Sequence, residues 1–179
     1  MRILSGSTIA CFIDIQEKFI PHIHEADALL KRTGILLQGL EALGIPLLFT
    51  EQVPEKLGKT VEPVCNAVDF SPFAKNCFSC ADDSGFLGKL ESSGRKTVLL
   101  AGIETHICVL QTAIDLLEKG YHVFIIEDCV SSRTLANKEN GIGRMKQHGA
   151  IITCVETVLF ELCRVAGSDT FKTISKLVK

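Results

Sequence analysis

Cys108 stands where the apolar run ending Gly102-Ile103 gives way to a segment of helical period, Glu104-Thr105-His106-Ile107-Cys108. In the first turn of a helix a thiol meets free backbone N–H groups and the positive end of the helix dipole, and both stabilise a thiolate. The chemistry this suits is nucleophilic attack on an electrophilic carbon. Packing of the helix onto a sheet is the competing role for a buried cysteine. Asp14 is the second candidate, because a carboxylate at the end of the apolar run Thr8 to Ile15 is costly unless it lies in a cleft or has a partner. A structural salt bridge or a helix cap would also account for it. His106 is only two residues from Cys108 on one helix, where side chains do not face each other, which places it at a pocket rim or subunit contact. The Cys77-x-x-Cys80 spacing suits a metal or a redox pair, yet a structural zinc requires two further ligands and no second such pair occurs, so no metal is expected.

Short β-branched runs alternate with longer helix-period segments, the pattern of an α/β fold with a parallel sheet. Strands are predicted over Thr8 to Ile15, Pro46 to Thr50, Thr97 to Ile103, His122 to Glu127 and Ala150 to Val155, with a short extended piece through Phe73 to Lys75. Helices are predicted over Ala26 to Leu43, Asp83 to Leu90, Thr105 to Glu118 and residues 135 to 148. A last helix runs through Leu177, capped by Ser168 or Asp169. In such sheets ligands bind beyond the carboxyl ends of the strands, where the strand order reverses. The residues just past the runs then matter most: Asp14-Ile15-Gln16, Thr50-Glu51-Gln52 and Gly102 through Cys108. The turn Ile15-Gln16-Glu17-Lys18-Phe19 lacks the glycines of a dinucleotide fingerprint, and Gly141-Ile142-Gly143 lies inside a helical stretch, so no cofactor is expected. Gln16 also stands where an aspartyl phosphatase would carry its second carboxylate.

The 179 residues suit one domain spanning 1–179, and 46% apolar content suffices for a sizeable core. Net charge is −2 with no basic stripe, which argues against nucleic acid as partner. Several of the eight cysteines, Cys11 and Cys154 among them, fall in strand-like runs and read as reduced core residues. With no secretory signal and no membrane span in the pattern, a reducing cytoplasmic compartment is expected. The passage Glu51 to Gly94 holds Pro54, Pro63 and Pro72 and little periodicity before Asp83, a length of irregular chain that is often functional.

The segments Cys11-Phe12-Ile13-Asp14-Ile15-Gln16-Glu17-Lys18-Phe19, Thr50-Glu51-Gln52, Lys75-Asn76-Cys77-Phe78-Ser79 and Gly102 through Thr112, in this order and spacing, resemble the isochorismatase-like cysteine hydrolase superfamily. The similarity extends to the C-terminal Phe171 to Leu177 and is nearest to the animal-type isochorismatase domain-containing proteins. The resemblance implies a Rossmann-like three-layer α/β/α fold with a six-stranded parallel sheet, and an Asp14–Lys75–Cys108 triad. It further implies a cis peptide between Ile103 and Glu104, and an oxyanion hole formed by the amides of Glu104 and Cys108. Gln16, Phe19, Phe78 and Thr105 would contact substrate, and dimers or larger homo-oligomers would help close the pocket.

Nicotinamidases of the superfamily hold a divalent metal through Asp and His residues after the second strand, whereas Glu51-Gln52-Val53-Pro54-Glu55-Lys56 contains no His. No arginine cluster is visible in the pocket segments, and no basic-aromatic surface supports ribonuclease action. The expected function is a metal-independent cysteine hydrolase of a small amide, ester or related C–N or C–O substrate, with Lys75 and the helix terminus lowering the Cys108 pKa. The alternatives are a catalytically silent scaffold of the same fold and a redox-responsive protein using Cys77 and Cys80.

Overall fold

β1 (Thr8–Ile13) is buried along its whole length, as a strand covered on both faces must be. In the computed structural model, which describes residues 1–179, it forms the middle of a six-stranded sheet of order β3-β2-β1-β4-β5-β6. The other strands are β2 (Leu47–Gln52), β3 (Pro72–Lys75), β4 (Thr97–Ile103), β5 (His122–Ser131) and β6 (Ile151–Thr153). Every pairing is parallel. Connections from β1 move outward through β2 to β3, then cross back to β4, so the order reverses between β1 and β4. The carboxyl ends of these two neighbours open the crevice in which such sheets bind ligands.

Alternation along the strands divides the core. Ile9, Cys11, Ile13, Val98, Leu100, Val123 and Ile125 enter a cluster of 21 buried residues on one face. Ala10, Phe12, Leu99, Ala101, Phe124 and Ile126 enter a cluster of 20 on the other. Near-equal cores on both faces make this a three-layer α/β/α arrangement. Helices α3 (Ser84–Ser92), α4 (Leu110–Glu118) and α5 (Leu135–Gln147) supply the first face. Helices α1 (Ala26–Ala42), α6 (Val155–Cys163) and α7 (Asp169–Leu177) supply the second, and the short α2 (Pro54–Leu57) follows β2. Each fully buried Leu, Ile or Phe contributes about 1.5–3 kcal/mol. No helix is long and apolar enough to cross a membrane.

Several boundaries differ from the sequence reading. β1 stops at Ile13, because Asp14 turns to φ 52, out of the strand. The strand expected to reach Val155 ends at Thr153, and Val155–Cys163 is instead a helix whose Val155, Val158, Leu159 and Leu162 face the core. Cys154, read as a core residue, caps that helix half-buried. β5 continues past Glu127 to Ser131, with a register shift against β4 between Leu100 and Gly102 that absorbs the polar Glu127-Asp128 pair. Ser168 caps α7 by accepting a hydrogen bond from the Phe171 amide.

Candidate active site

Asp14 is the residue at which β1 ends, and its left-handed backbone is one that Asp tolerates better than most residues. Neighbouring strands hold it there. Its amide donates to the Thr50 carbonyl (3.2 Å), its Oδ1 accepts from Thr50 Oγ1 (2.7 Å), and its Oδ2 accepts from Lys75 Nζ (2.7 Å). Asp14 is wholly buried, so these bonds replace the water a carboxylate would otherwise require.

Strand periodicity at the end of β2 sends Thr50 and Gln52 to one side and Glu51 to the other. Thr50 serves Asp14, while Gln52 Oε1 accepts from Lys75 Nζ at 2.7 Å. Glu51 points away and accepts from Thr60 N and Oγ1 at 2.7 and 2.8 Å. Lys75, at the end of edge strand β3, also donates to the carbonyls of Cys77 (3.2 Å) and Phe78 (3.3 Å). Burial, the largest single influence, would lower its pKa, but the Asp14 carboxylate together with the neighbouring Cys80 and Cys108 holds the ammonium above its ordinary value.

Cys108 lies in a π-helical turn, Thr105–Val109, that leads from β4 into α4. Such turns are frequent at functional sites. Two glycines permit the geometry. Gly102 adopts φ +124, and a Cβ there would run into the backbone of Ile13 on β1. On α5, Gly141 would set its Cβ 2.9 Å from the Thr105 carbonyl, so only glycine lets the helix approach the turn. The Ile103–Glu104 peptide is cis. The Glu104 carbonyl accepts from Ile107 N (3.0 Å) and Val109 N (3.3 Å), while the Glu104 amide donates to no backbone acceptor.

Cys108 is buried, and the Asp14 charge acts on its thiol. Its pKa lies well above the ordinary thiol value, through burial first and the Asp14 charge after it; Lys75 pulls the other way without prevailing. Where the sequence reading has Lys75 and the helix terminus lower the Cys108 pKa, burial and the adjacent carboxylate raise it instead. Cys80, fully buried against Thr50 (Sγ to Oγ1 3.9 Å), is pushed up to about 12, chiefly by burial.

Above the triad lies a cavity of about 280 Å³, lined by Phe19, Gln52, Val53, Lys56, Leu57, Phe78, Glu104, Ile107, Cys108 and Arg133. Phe19 and Phe78 are therefore walls of this cavity. Gln16 and Thr105 are not. Gln16 is fully buried and clamps the loop after β2: its Nε2 donates to the carbonyls of Gln52 (3.1 Å) and Gly58 (2.7 Å), and its Oε1 accepts from Gln52 N (2.7 Å). Thr105 is likewise fully buried, its Oγ1 without a partner. His106, half-buried, meets Ser132 Oγ through Nδ1 at 2.9 Å and does not line the cavity.

Cys77 is half-buried, Cys80 is buried, and no two cysteines are paired. No three His, Cys, Asp or Glu side chains converge as a metal would require, and Glu51 is already engaged by Thr60.

The sequence reading flagged Thr50 and Gln52 only by their place at a strand end, without a role, and missed Val53 and Arg133. The i, i+2 polar pair ending β2 was a usable signal for the first two. Val53 adopts φ 38, a rare conformation for a β-branched residue and one that clusters at functional sites. Arg133 was hidden by the misplaced end of β5.

Residues 8–157 match the isochorismatase domain family. Isochorismatase domain-containing protein 2A of Mus musculus is 38% identical over 181 residues, covering 99% of this chain and 85% of its own. The secreted isochorismatase effector Isc1 of Phytophthora sojae is 36% identical over 184 residues, covering 99% and 87%. Among solved structures, that of a Caenorhabditis elegans protein described as MAR1 ribonuclease superposes with a TM-score of 0.93 at 33% identity, covering 99% of this chain and 92% of that one. The Escherichia coli YcaC product, described as an octameric hydrolase of unknown specificity, shares the fold with a TM-score of 0.94 at 21% identity, covering 99% and 90%. The order of the strands, the residues at their carboxyl ends and these full-length similarities lead to one conclusion: the chain belongs to the isochorismatase family of hydrolase-fold proteins.

Proposed function

We propose that this protein is a metal-independent cysteine hydrolase in which Cys108 forms a thioester with the acyl part of a small amide, ester or related substrate. The supporting observation is the meeting of Asp14, Lys75 and Cys108, from three strand ends, beneath a cavity that Cys108 itself lines.

The resting thiol is neutral, so the cycle begins with proton transfer from Cys108 Sγ to the Asp14 carboxylate as substrate displaces water. Sulfur attacks the carbonyl carbon, and the electron pair of the C=O bond moves to oxygen. The amides of Glu104 and Cys108 hold that oxyanion. As the C=O bond re-forms, the C–N or C–O bond breaks and the leaving group takes the proton from Asp14. Asp14 then removes a proton from water as it attacks the thioester; the C–S bond breaks, the acid departs, and the sulfur recovers the proton from Asp14. Lys75 keeps Asp14 oriented and offsets the negative charge shared between carboxylate and sulfur. No step is assigned to a metal or cofactor.

A homo-oligomer fits this reading, because Phe78 at the cavity mouth is 54% exposed and a second copy of the chain would cover it. Unpaired thiols suit a reducing compartment. The surface charge does not suit a ribonuclease, since the chain carries net charge −2 without a basic stripe.

Incubation with a panel of p-nitrophenyl esters and anilides, followed by mass spectrometry of the intact chain, tests the proposal. An acyl adduct on the peptide containing Cys108, and at least a roughly 10³-fold loss of turnover in Cys108→Ser, are expected. Full turnover by Cys108→Ser would refute the scheme.

A further inference from the structure

Arg133 stands just past the carboxyl end of β5 and lines the triad cavity, with its side chain 61% exposed. A buried carboxylate beneath it fixes the orientation of its guanidinium. Nε donates to Glu104 Oε1 and Oε2, both at 3.1 Å, and Nη2 donates to Oε1 at 2.9 Å. The Arg133 amide also donates to Glu104 Oε2 at 3.2 Å. Glu104 is 3% exposed. Nη1 donates to no protein acceptor, so that edge of the planar fork is free.

A second cavity, of about 490 Å³, adjoins the first through shared Phe19, Leu57 and Arg133, and adds Lys18 and His22. The charged side chains around the two are therefore Lys18, Lys56 and Arg133 against Glu104 alone, with His22 beside them. In a chain of net charge −2 this is a local positive funnel.

We propose that Arg133 is the anion anchor of the site: the substrate is a small amide or ester carrying one carboxylate, held by the free edge of the guanidinium while its carbonyl carbon lies over Cys108. This inference rests on the hydrolase reading and narrows its substrate class. A guanidinium fork matches carboxylate geometry, and here its inner edge is already taken by Glu104, which leaves room for one carboxylate rather than two. The apolar walls Phe19, Leu57, Phe78 and Ile107 enclose a short carbon body between the charge and the scissile bond. Lys18 and Lys56, both exposed, steer the anion inward.

Alkylation of the full chain by 3-maleimidopropionate and by N-ethylmaleimide, reagents alike in reactive group and different in charge, separates this inference from the reading beneath it. The ratio of the two rates at Cys108 is compared with the same ratio at half-buried Cys163, remote from the cavity, by peptide mass spectrometry. A ratio at Cys108 about tenfold above that at Cys163 in low salt is expected. Arg133→Gln should reduce it to the Cys163 value, and Arg133→Lys should keep part of it. An unchanged ratio in Arg133→Gln, with Cys108 still alkylated, overturns the anchor and leaves the hydrolase proposal standing. A Cys108 inert to both reagents and bearing no acyl adduct from the ester panel overturns the anchor and removes the hydrolase proposal as well. Should Arg133→Gln fail to fold, the wild-type protein decides. Isobutyrate is then expected to protect Cys108 from N-ethylmaleimide at concentrations where isobutyramide does not, and equal protection by the two, or none, overturns the anchor.

Discussion

Lys75 Nζ and Asp14 Oδ2 stand 2.7 Å apart with both side chains wholly shielded from solvent. Attraction in such a setting is strong, but so is the cost of removing two charges from water, and the pair is tolerated because Thr50, Gln52 and two carbonyls satisfy the remaining groups. Lys75→Met leaves a buried carboxylate without its cation, and a loss of about 3–5 kcal/mol in unfolding free energy is expected from urea denaturation. Asp14→Asn combined with Lys75→Met should recover part of that loss, since neither charge then remains. A double variant as unstable as the sum of the singles would contradict this account.

Asp14 and Lys75 act on Cys108 with opposite sign. Asp14→Asn removes a charge that keeps the proton on sulfur, so N-ethylmaleimide should label Cys108 faster at pH 8 than in wild type. Lys75→Met removes the opposing cation and should slow labelling. Ester hydrolysis should nonetheless fall in both, by about 10²-fold or more, because turnover requires the base and its orienting partner as well as the sulfur. Equal labelling rates in the two variants would break the proposed division of roles.

Thr50→Val is nearly isosteric and deletes one hydrogen bond to the buried Asp14 carboxylate. A stability loss of about 1.5–3 kcal/mol is expected, together with a fall in kcat that exceeds any change in KM. Calorimetry and steady-state kinetics on the same preparation measure the two effects separately.

Cys11, Cys80, Cys108 and Cys129 all have thiols held above the ordinary value of 9.0, by burial in each case. Folding raises these pKa values, so the stability they contribute is complete below pH 9 and is lost as the pH climbs through the folded-state values, about 12 for Cys80. Urea midpoints should be insensitive to these groups at pH 7–8 and should fall above pH about 9, by up to about 1.4 kcal/mol per pH unit for each thiol. Cys80→Ser should make that alkaline slope shallower, and an unaltered slope would show that Cys80 ionises as readily folded as unfolded.

Arg133 illustrates how a site residue escapes a linear reading. The predicted strand ends at Glu127, where two acidic residues interrupt the apolar run, yet β5 extends to Ser131 through an irregularity in its pairing with β4. Only the partner strand's register shows that the polar pair lies within the strand. Gln16 errs the other way. It stands two residues past Asp14 and reads as a pocket group, but its amide is fully engaged in holding the loop after β2.

The sequence by itself determined the layer architecture, because runs apolar on both faces can be buried only in a parallel sheet covered by helices on each side, and that requirement is local and periodic. It also placed Asp14 and Cys108 beyond the ends of two apolar runs, while Lys75 came only from the family resemblance. The tertiary structure alone decided which of those side chains meet: Lys75, 61 residues from Asp14, reaches it because β3 pairs with β2 and β2 with β1. The raised pKa of Cys108 was decided in the same way, since burial and the charge of Asp14 outweigh the cation of Lys75. Electrostatic sign in a closed site depends on distances and solvent exclusion, and neither is written in residue order.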